Sequence, residues 1–426
     1  MTTESATWNG YQKIGFRFIF LYFALHISTF FISFLPYSTS LVTGIRYNIQ
    51  SLPVWVAKTF FDIIITVFPN GSGDTTYNYF EVLVFFILAI IGTIIWSLID
   101  RKRTNYDWLL RFFRVYVSYY VAGYMLSYGF SKVFYLQFSE PSFLQLFRTY
   151  GESSPMGIAW TFMGASKTYT MFSGFAEVIG GLLLFYRRTR TIGALVVFAV
   201  MFNVFMMNMS YDIPVKLFSF HLMIKALFIA SLDYKRILNL FVFRKPLAIS
   251  NELKPLFQNR NWRIAGRVLK FVFIGYAIYI YMNSSLEYSK QRYEGPKPFF
   301  YGVYNTESYI KNNDSIPPLL TDKTRWKRLI MDRGYLDKYM IIRGMNEQSR
   351  WYTYEIDSVK STVKMTSTRD SLDVLNLAFT KNDSILTFKG TWKNDSIQVK
   401  LNKYDTSKIL LTNRGFNWIN EYPYNR

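Results

Sequence analysis

The sequence predicts an α-helical polytopic membrane bundle of about seven spans, followed by a small C-terminal antiparallel β domain, barrel- or sandwich-like. Three observations lead there. The 426 residues are 50% hydrophobic and 19% aromatic, yet mean hydropathy is only +0.09, as expected when an apolar part is joined to a polar one. Runs of roughly 20 apolar residues, enough to cross a hydrocarbon layer ~30 Å thick, recur up to about residue 284. Beyond residue 285 the pattern turns to short alternating stretches separated by turn formers.

The candidate spans lie near 14–35, 79–99, 113–138, 169–186, 191–209, 217–232 and 264–283. The first begins directly after Lys13 with no signal-peptide cleavage pattern, so it is expected to be retained. Between the first two spans, residues 52–68 read as an interfacial helix, with Lys58 and Asp62 at pairing distance four residues apart. An eighth span at that point would invert everything downstream. The domain expectation is therefore 1–284 for the helices and 285–426 for the β part.

Orientation follows from basic residues. Arg101, Lys102 and Arg103 share one loop, Arg187, Arg188 and Arg190 another, and Lys235, Arg236, Arg244, Lys245, Lys254, Arg260 and Arg263 a third. By the positive-inside rule these loops are cytoplasmic. The N-terminus is therefore expected in the cytoplasm and the β domain outside it. The formal charge of +21 is thereby read as topology, and no nucleic-acid partner is expected. Cysteine is absent and only His26 and His221 represent histidine, which excludes disulfides, thiolate nucleophiles and cysteine zinc sites. No metal is expected, and any redox role needs a borrowed cofactor.

In the β part, WYTYEID (351–357), SILTFKGTW (384–392) and SIQVKLNKY (396–404) read as strands. Asn-Asp-Ser recurs at 313–315, 382–384 and 394–396, where short polar side chains suit strand connections.

Function is sought among polar groups in the apolar runs, because a charge at the bilayer centre costs about 2.5–3.5 kcal/mol on insertion scales. Counting inward at ~1.5 Å per residue, His26, Glu177 and Lys225 fall about 12–14 Å below the outer boundary, with Lys132 at about 9 Å and His221 also shallower. Together they are candidates for a polar pocket opening outward, in which a carboxylate and an ammonium make each other tolerable beside a titratable imidazole. The structural alternative has Lys132 snorkelling, Glu177 clamping helices and the histidines bonding to carbonyls.

Tyr116, Tyr119, Tyr120, Tyr124 and Tyr128 recur at three- and four-residue spacing and share a helix face. Tyr124 and Tyr128 beside Lys132 would suit a flat ring such as a quinone head group, and interhelical hydrogen bonding explains them as economically. Two outward strings complete the candidates. In NGSGDTT (70–76), which carries Asp74, a turn is favoured over an anion-binding nest; in SYDIPVK (210–216), Asp212 and Lys216 either cap a helix entrance or face a substrate. No residue is assigned a catalytic role.

The stretches YVAGYMLSYGFSKVFYLQF (120–138), SPMGIAWTFMGASKTYTMF (154–172) and SGFAEVIGGLLLFYRRTRTIGALVV (173–197) together resemble the DoxX family of bacterial membrane proteins, over about residues 75–240. With its long tail the whole chain resembles a larger DoxX-like protein of the Bacteroidetes type, which implies a bacterial inner membrane as its address, with the N-terminus in the cytoplasm and the β domain in the periplasm. The resemblance implies that Glu177 is the family's intramembrane acid. It also implies a quinone link, since DoxX-like proteins are similar to a subunit of thiosulfate:quinone oxidoreductase. The leading expectation is a membrane protein that binds a lipid-soluble partner, a quinone, with a redox link. The alternative is a non-catalytic scaffold or envelope-assembly factor that presents the β domain to other membrane proteins. A proton-relaying transporter ranks third, without visible inverted repeats.

Overall fold

The structure, a computed structural model, describes residues 7–35, 37–67, 70–246 and 259–425. Its helices in chain order are α1 (Gly10–Ile27), α2 (Thr39–Phe61), α3 (Thr76–Ile99), α4 (Asp107–Val133), α5 (Phe143–Leu146), α6 (Pro155–Ala165), α7 (Lys167–Phe185), α8 (Arg190–Ser210), α9 (Lys216–Ser231), α10 (Tyr234–Phe241), α11 (Arg260–Glu294) and α12 (Leu410–Asn413). The strands are β1 (Gly302–Lys311), β2 (Asp314–Ser315), β3 (Trp326–Met331), β4 (Tyr339–Gly344), β5 (Ser349–Asp357), β6 (Thr362–Ser367), β7 (Val374–Lys381), β8 (Ile385–Trp392) and β9 (Asp395–Lys403). They form two units, one of residues 1–137 with 168–285 and one of 138–167 with 286–426.

The first unit is helical. Several of its helices start where short polar side chains satisfy free backbone N–H groups: Asn9 with Gln12 opens α1, and Thr75 with Asn78 opens α3. Among the described residues five helical stretches are long and apolar enough to cross a membrane: Gly10–Phe34, Thr76–Ile99, Lys167–Phe185, Arg190–Ser210 and Arg260–Glu294. The expected span over 217–232 matches α9, and α9 with α10 would make a sixth candidate span, bent by 75° at the break between the two helices. The remaining expected span, α4, is long enough at 27 residues but is made less apolar by its tyrosines and by Arg111, Arg114 and Lys132. It is also an inner helix. Twelve of its residues are buried, whereas α11 buries only Ala277 and Ser285.

The helix expected near 52–68 is corrected. It begins at Thr39 and ends at Phe61, where Asp62 adopts a left-handed conformation (φ 55°) that turns the chain out of the helix. Asp62 is therefore off the helix face it was expected to share with Lys58, and no ion pair joins the two. Phe68 lies outside the described residues.

The second unit is an antiparallel β-barrel. Strands β1 and β3 to β9 pair in sequence, and β9 pairs back onto β1 from Tyr304–Lys403 to Lys311–Ile397, so eight strands close on themselves. The two-residue β2 is an appended hairpin arm. Alternation sorts the faces: Tyr304, Leu329, Met331 and Ile342 point into the interior, while Val303, Ile330 and Ile341 point outward. Closure leaves this sheet without a long free edge. Of the three Asn-Asp-Ser strings, 382–384 links β7 to β8, while in the other two the Asn precedes the strand and the Asp and Ser open β2 and β9.

Residues 138–167, read as part of the helical half in sequence, pack with the strands. Leu144 buries itself among Val303, Ile330 and Ile341, and the Arg343 guanidinium donates to the Phe147 carbonyl at 2.8 Å. The Asp332 carboxylate accepts the Phe143 N–H at 2.7 Å, and its burial raises its affinity for a proton above the ordinary aspartate value. A cavity of about 150 Å³ in this unit is lined by residues that include Glu140, Asp332, Arg333 and Tyr301. It does not include the Glu177 cluster.

Candidate functional site

Glu177 sits in the interior of α7, and Lys132 in the last turn of α4. Glycines let these helices meet. A Cβ on Gly129 would lie 2.9 Å from the Gly174 carbonyl oxygen, and one on Gly174 would lie 2.8 Å from the Lys132 Cβ. One turn further on, a Cβ on Gly181 would lie 2.9 Å from the Met125 Cβ. Small residues therefore allow the close approach that membrane helices exploit, and the Lys132 ammonium donates to Glu177 Oε1 at 2.6 Å with both side chains buried. The second carboxylate oxygen, Oε2, is buried and has no hydrogen-bond partner among the described residues.

A second cluster surrounds Lys225, which is fully buried on α9. Its ammonium lies 5.1 Å from the Phe23 ring centre and 5.2 Å from that of Tyr120, and 3.5 Å from the His221 carbonyl. Cation–π attraction is the main compensation visible for this charge. No carboxylate pairs with it among the described residues. His221 Nδ1 lies 2.6 Å from the Leu217 carbonyl, and since a carbonyl only accepts, Nδ1 carries the proton. In the neutral ring Nε2 then accepts from the Tyr22 hydroxyl, 2.8 Å away. The His26 ring centre is 4.3 Å from that of His221, and His26 Nε2 is buried without a partner among the described residues.

The tyrosine face joins the two clusters. Lys132 lies 5.8 Å from the Tyr128 ring, Tyr128 is 6.4 Å from Tyr124, Tyr124 is 5.0 Å from Tyr120, and Tyr120 borders Lys225. Phe218 touches both Tyr124 and Tyr128.

The expected single layer of His26, Glu177 and Lys225 thus resolves into two groups. Glu177 pairs with Lys132, and His26 and His221 gather at Lys225. Equal depth does not decide which helices touch: α4 meets α7 at Lys132 and Glu177, while α1 and α9 bring His26 and His221 to Lys225.

Asp74, Asp212 and Lys216 form a third group. Asp74 Oδ2 accepts the Lys216 N–H at 2.7 Å and Oδ1 the Leu217 N–H at 2.9 Å, so the NGSGDTT string caps α9 from a distant part of the sequence. Gly73 N–H donates to the Pro214 carbonyl at 2.7 Å, and Lys216 reaches Asp212 at 2.8 Å. These contacts are those of a helix entrance.

Sequence reasoning missed Tyr22 as the partner of His221, and missed two further buried ion clusters. Arg17 donates to Tyr106 and Ser97, with Tyr106 bonded on to Asp100. Arg114 pairs with Asp233 at 2.7 Å beside Thr191. Arg17 and Arg114 lie at or inside apolar runs, the same signal that singled out Glu177. Among the described residues no group of histidine and carboxylate side chains is arranged to hold a metal.

Against known proteins, no family profile matches the chain and no solved structure resembles it. A stretch of 114 residues, 27% of this chain, is 32% identical to the uncharacterized protein YwoB of Bacillus subtilis (strain 168) and covers 72% of that protein. The chain belongs to the YwoB family. Membership brings no activity with it, since YwoB is itself uncharacterized, and the geometry of the bundle remains the guide to chemistry.

Proposed function

We propose that the helical unit is a DoxX-like inner-membrane bundle that binds a lipid-soluble partner, a quinone, between the tyrosine face and Glu177. The observation carrying this reading is the bare Glu177 Oε2. A buried carboxylate oxygen without a donor is costly, by about 1–3 kcal/mol or more, and a ligand hydroxyl would relieve it. On this reading Glu177 accepts a hydrogen bond from a hydroxyl of the head group in its reduced, quinol form, Lys132 holds the carboxylate in place, and Tyr124 and Tyr128 offer ring faces. A bound quinone would supply the capacity for electron transfer that these side chains lack.

The test is Glu177→Gln in detergent-purified protein. The variant keeps the volume and should fold, while affinity for the quinol form, read by thermal protection, should fall about tenfold or more, as for loss of a charge-assisted hydrogen bond. Equal quinol binding by variant and parent would remove Glu177 from the site.

A scaffold reading is favoured by a separate observation. Phe416, Trp418, Ile419 and Tyr422 near the C-terminal end are all more than 70% exposed, an arrangement suited to contact with another membrane protein. Stable co-purification of a partner, with no small molecule retained, would select it.

A further inference from the structure

One end of the barrel gathers buried donors that lack acceptors. The register brings together the end of β1, the start of β3, the start of β5 and the end of β8, through Tyr309–Val399, Trp326–Gly344, Arg350–Ile342 and Trp392–Asp395. There the Tyr309 and Trp326 ring centres lie 6.4 Å apart and both residues are 0% exposed. Arg325, 4% exposed, lies close enough to Tyr309 for each to act on the other's charge. The Tyr309 hydroxyl, the Trp326 Nε1 and the Arg325 Nε and Nη1 have no hydrogen-bond partner among the described residues.

The nearby carboxylates are already engaged. Asp322 accepts from the Thr324 and Arg325 N–H groups at 2.6 and 2.7 Å, Asp395 from Lys311 at 2.8 Å, and Asp373 from Trp392 Nε1 at 2.6 Å. Arg350 adds a second cation, its guanidinium 4.9 Å from the Trp392 ring and within electrostatic reach of Tyr309. An indole and a guanidinium only donate, so the group that complements them is an acceptor with several lone pairs. Burying a donor without an acceptor is costly, and several at one place call for a common partner.

We propose that this end of the barrel binds a small oxyanion, a carboxylate or phosphate group, held by Arg325, Trp326 and Tyr309. The site lies within the β unit and is independent of the quinone reading.

The test titrates full-length, detergent-purified protein with sodium acetate and with sodium phosphate at constant ionic strength, read by calorimetry. At least one anion should bind at one per chain, and the anion that binds identifies the class. Tyr309→Phe and Arg325→Gln should each weaken binding about tenfold, one hydrogen bond's worth, with circular dichroism unchanged. As a readout needing no variant to bind, 5-fluorotryptophan is incorporated in place of all 10 tryptophans. The 19F resonance that Trp326→Phe removes should shift in the parent with the oxyanion and not with chloride. Absence of binding by both anions, equal binding by folded variants, or an unmoved Trp326 resonance would overturn the proposal.

Discussion

Lys132 and Glu177 illustrate how one side chain makes another tolerable. Replacing Lys132 by Met would leave a buried carboxylate without its ammonium, which typically costs about 3–5 kcal/mol, whereas replacing the pair together by Met and Leu should restore much of that loss. Denaturant unfolding in detergent of the two single variants and the double variant checks this, and additivity of the single losses would refute direct coupling. A second residue-level outcome concerns Tyr22. Changing it to Phe removes the His221 Nε2 partner and should lower stability by about 1 kcal/mol. At this scale the sequence pointed to the right residues but not to their pairings. Lys132, Glu177, Lys225 and both histidines stood out as polar groups in apolar runs, and an ion pair with Lys132 was as readable as one with Lys225. Choosing between them depended on which helices lie side by side, and span counting carries no record of that.

Elements repeat that lesson in other terms. The strings at 70–76 and 210–216 were conspicuous separately, yet nothing local announces that Asp74 caps α9 across 142 residues of chain. Asp74→Ala should therefore destabilise α9 as loss of an N-cap does, by about 0.5–2 kcal/mol, although the residue lies outside that helix. Hydrogen exchange at the first turn of α9 is the direct measurement, and faster exchange confined to that turn is the expected pattern. Strands were more legible than helices because their period of two survives in short segments, as at 351–357 and 396–404. The early stop of α2 was hidden, since a left-handed Asp62 inside an apolar run leaves little trace in composition.

For the whole molecule, the barrel was expected only as one of two β forms, because closure is a matter of pairing β1 with β9 and no local pattern encodes it. The barrel also predicts a pH response. Burial disfavours the Glu347 charge, but hydrogen bonds from Lys327 and Arg343 outweigh it and hold its carboxyl below the usual value of 4.5. A lowered native value means stability is present above pH 4.5 and is lost as pH falls through the native value below it. Glu347→Gln should flatten that acid limb when barrel unfolding is followed by near-ultraviolet circular dichroism. Topology is testable with equal directness, because the chain contains no cysteine. Val359, 93% exposed between β5 and β6, can carry a single introduced thiol. An impermeant maleimide should label Val359→Cys from the periplasmic side, and labelling only after the inner membrane is breached would reverse the proposed orientation.

The placement of residues 138–167 against the barrel has a consequence for biosynthesis. Leu144 and Phe147 leave the ribosome ahead of every strand they cover, since β1 begins only at Gly302. During that interval the nascent segment has no surface to rest on, and the strands close a complete unit only if it is delivered to them afterwards.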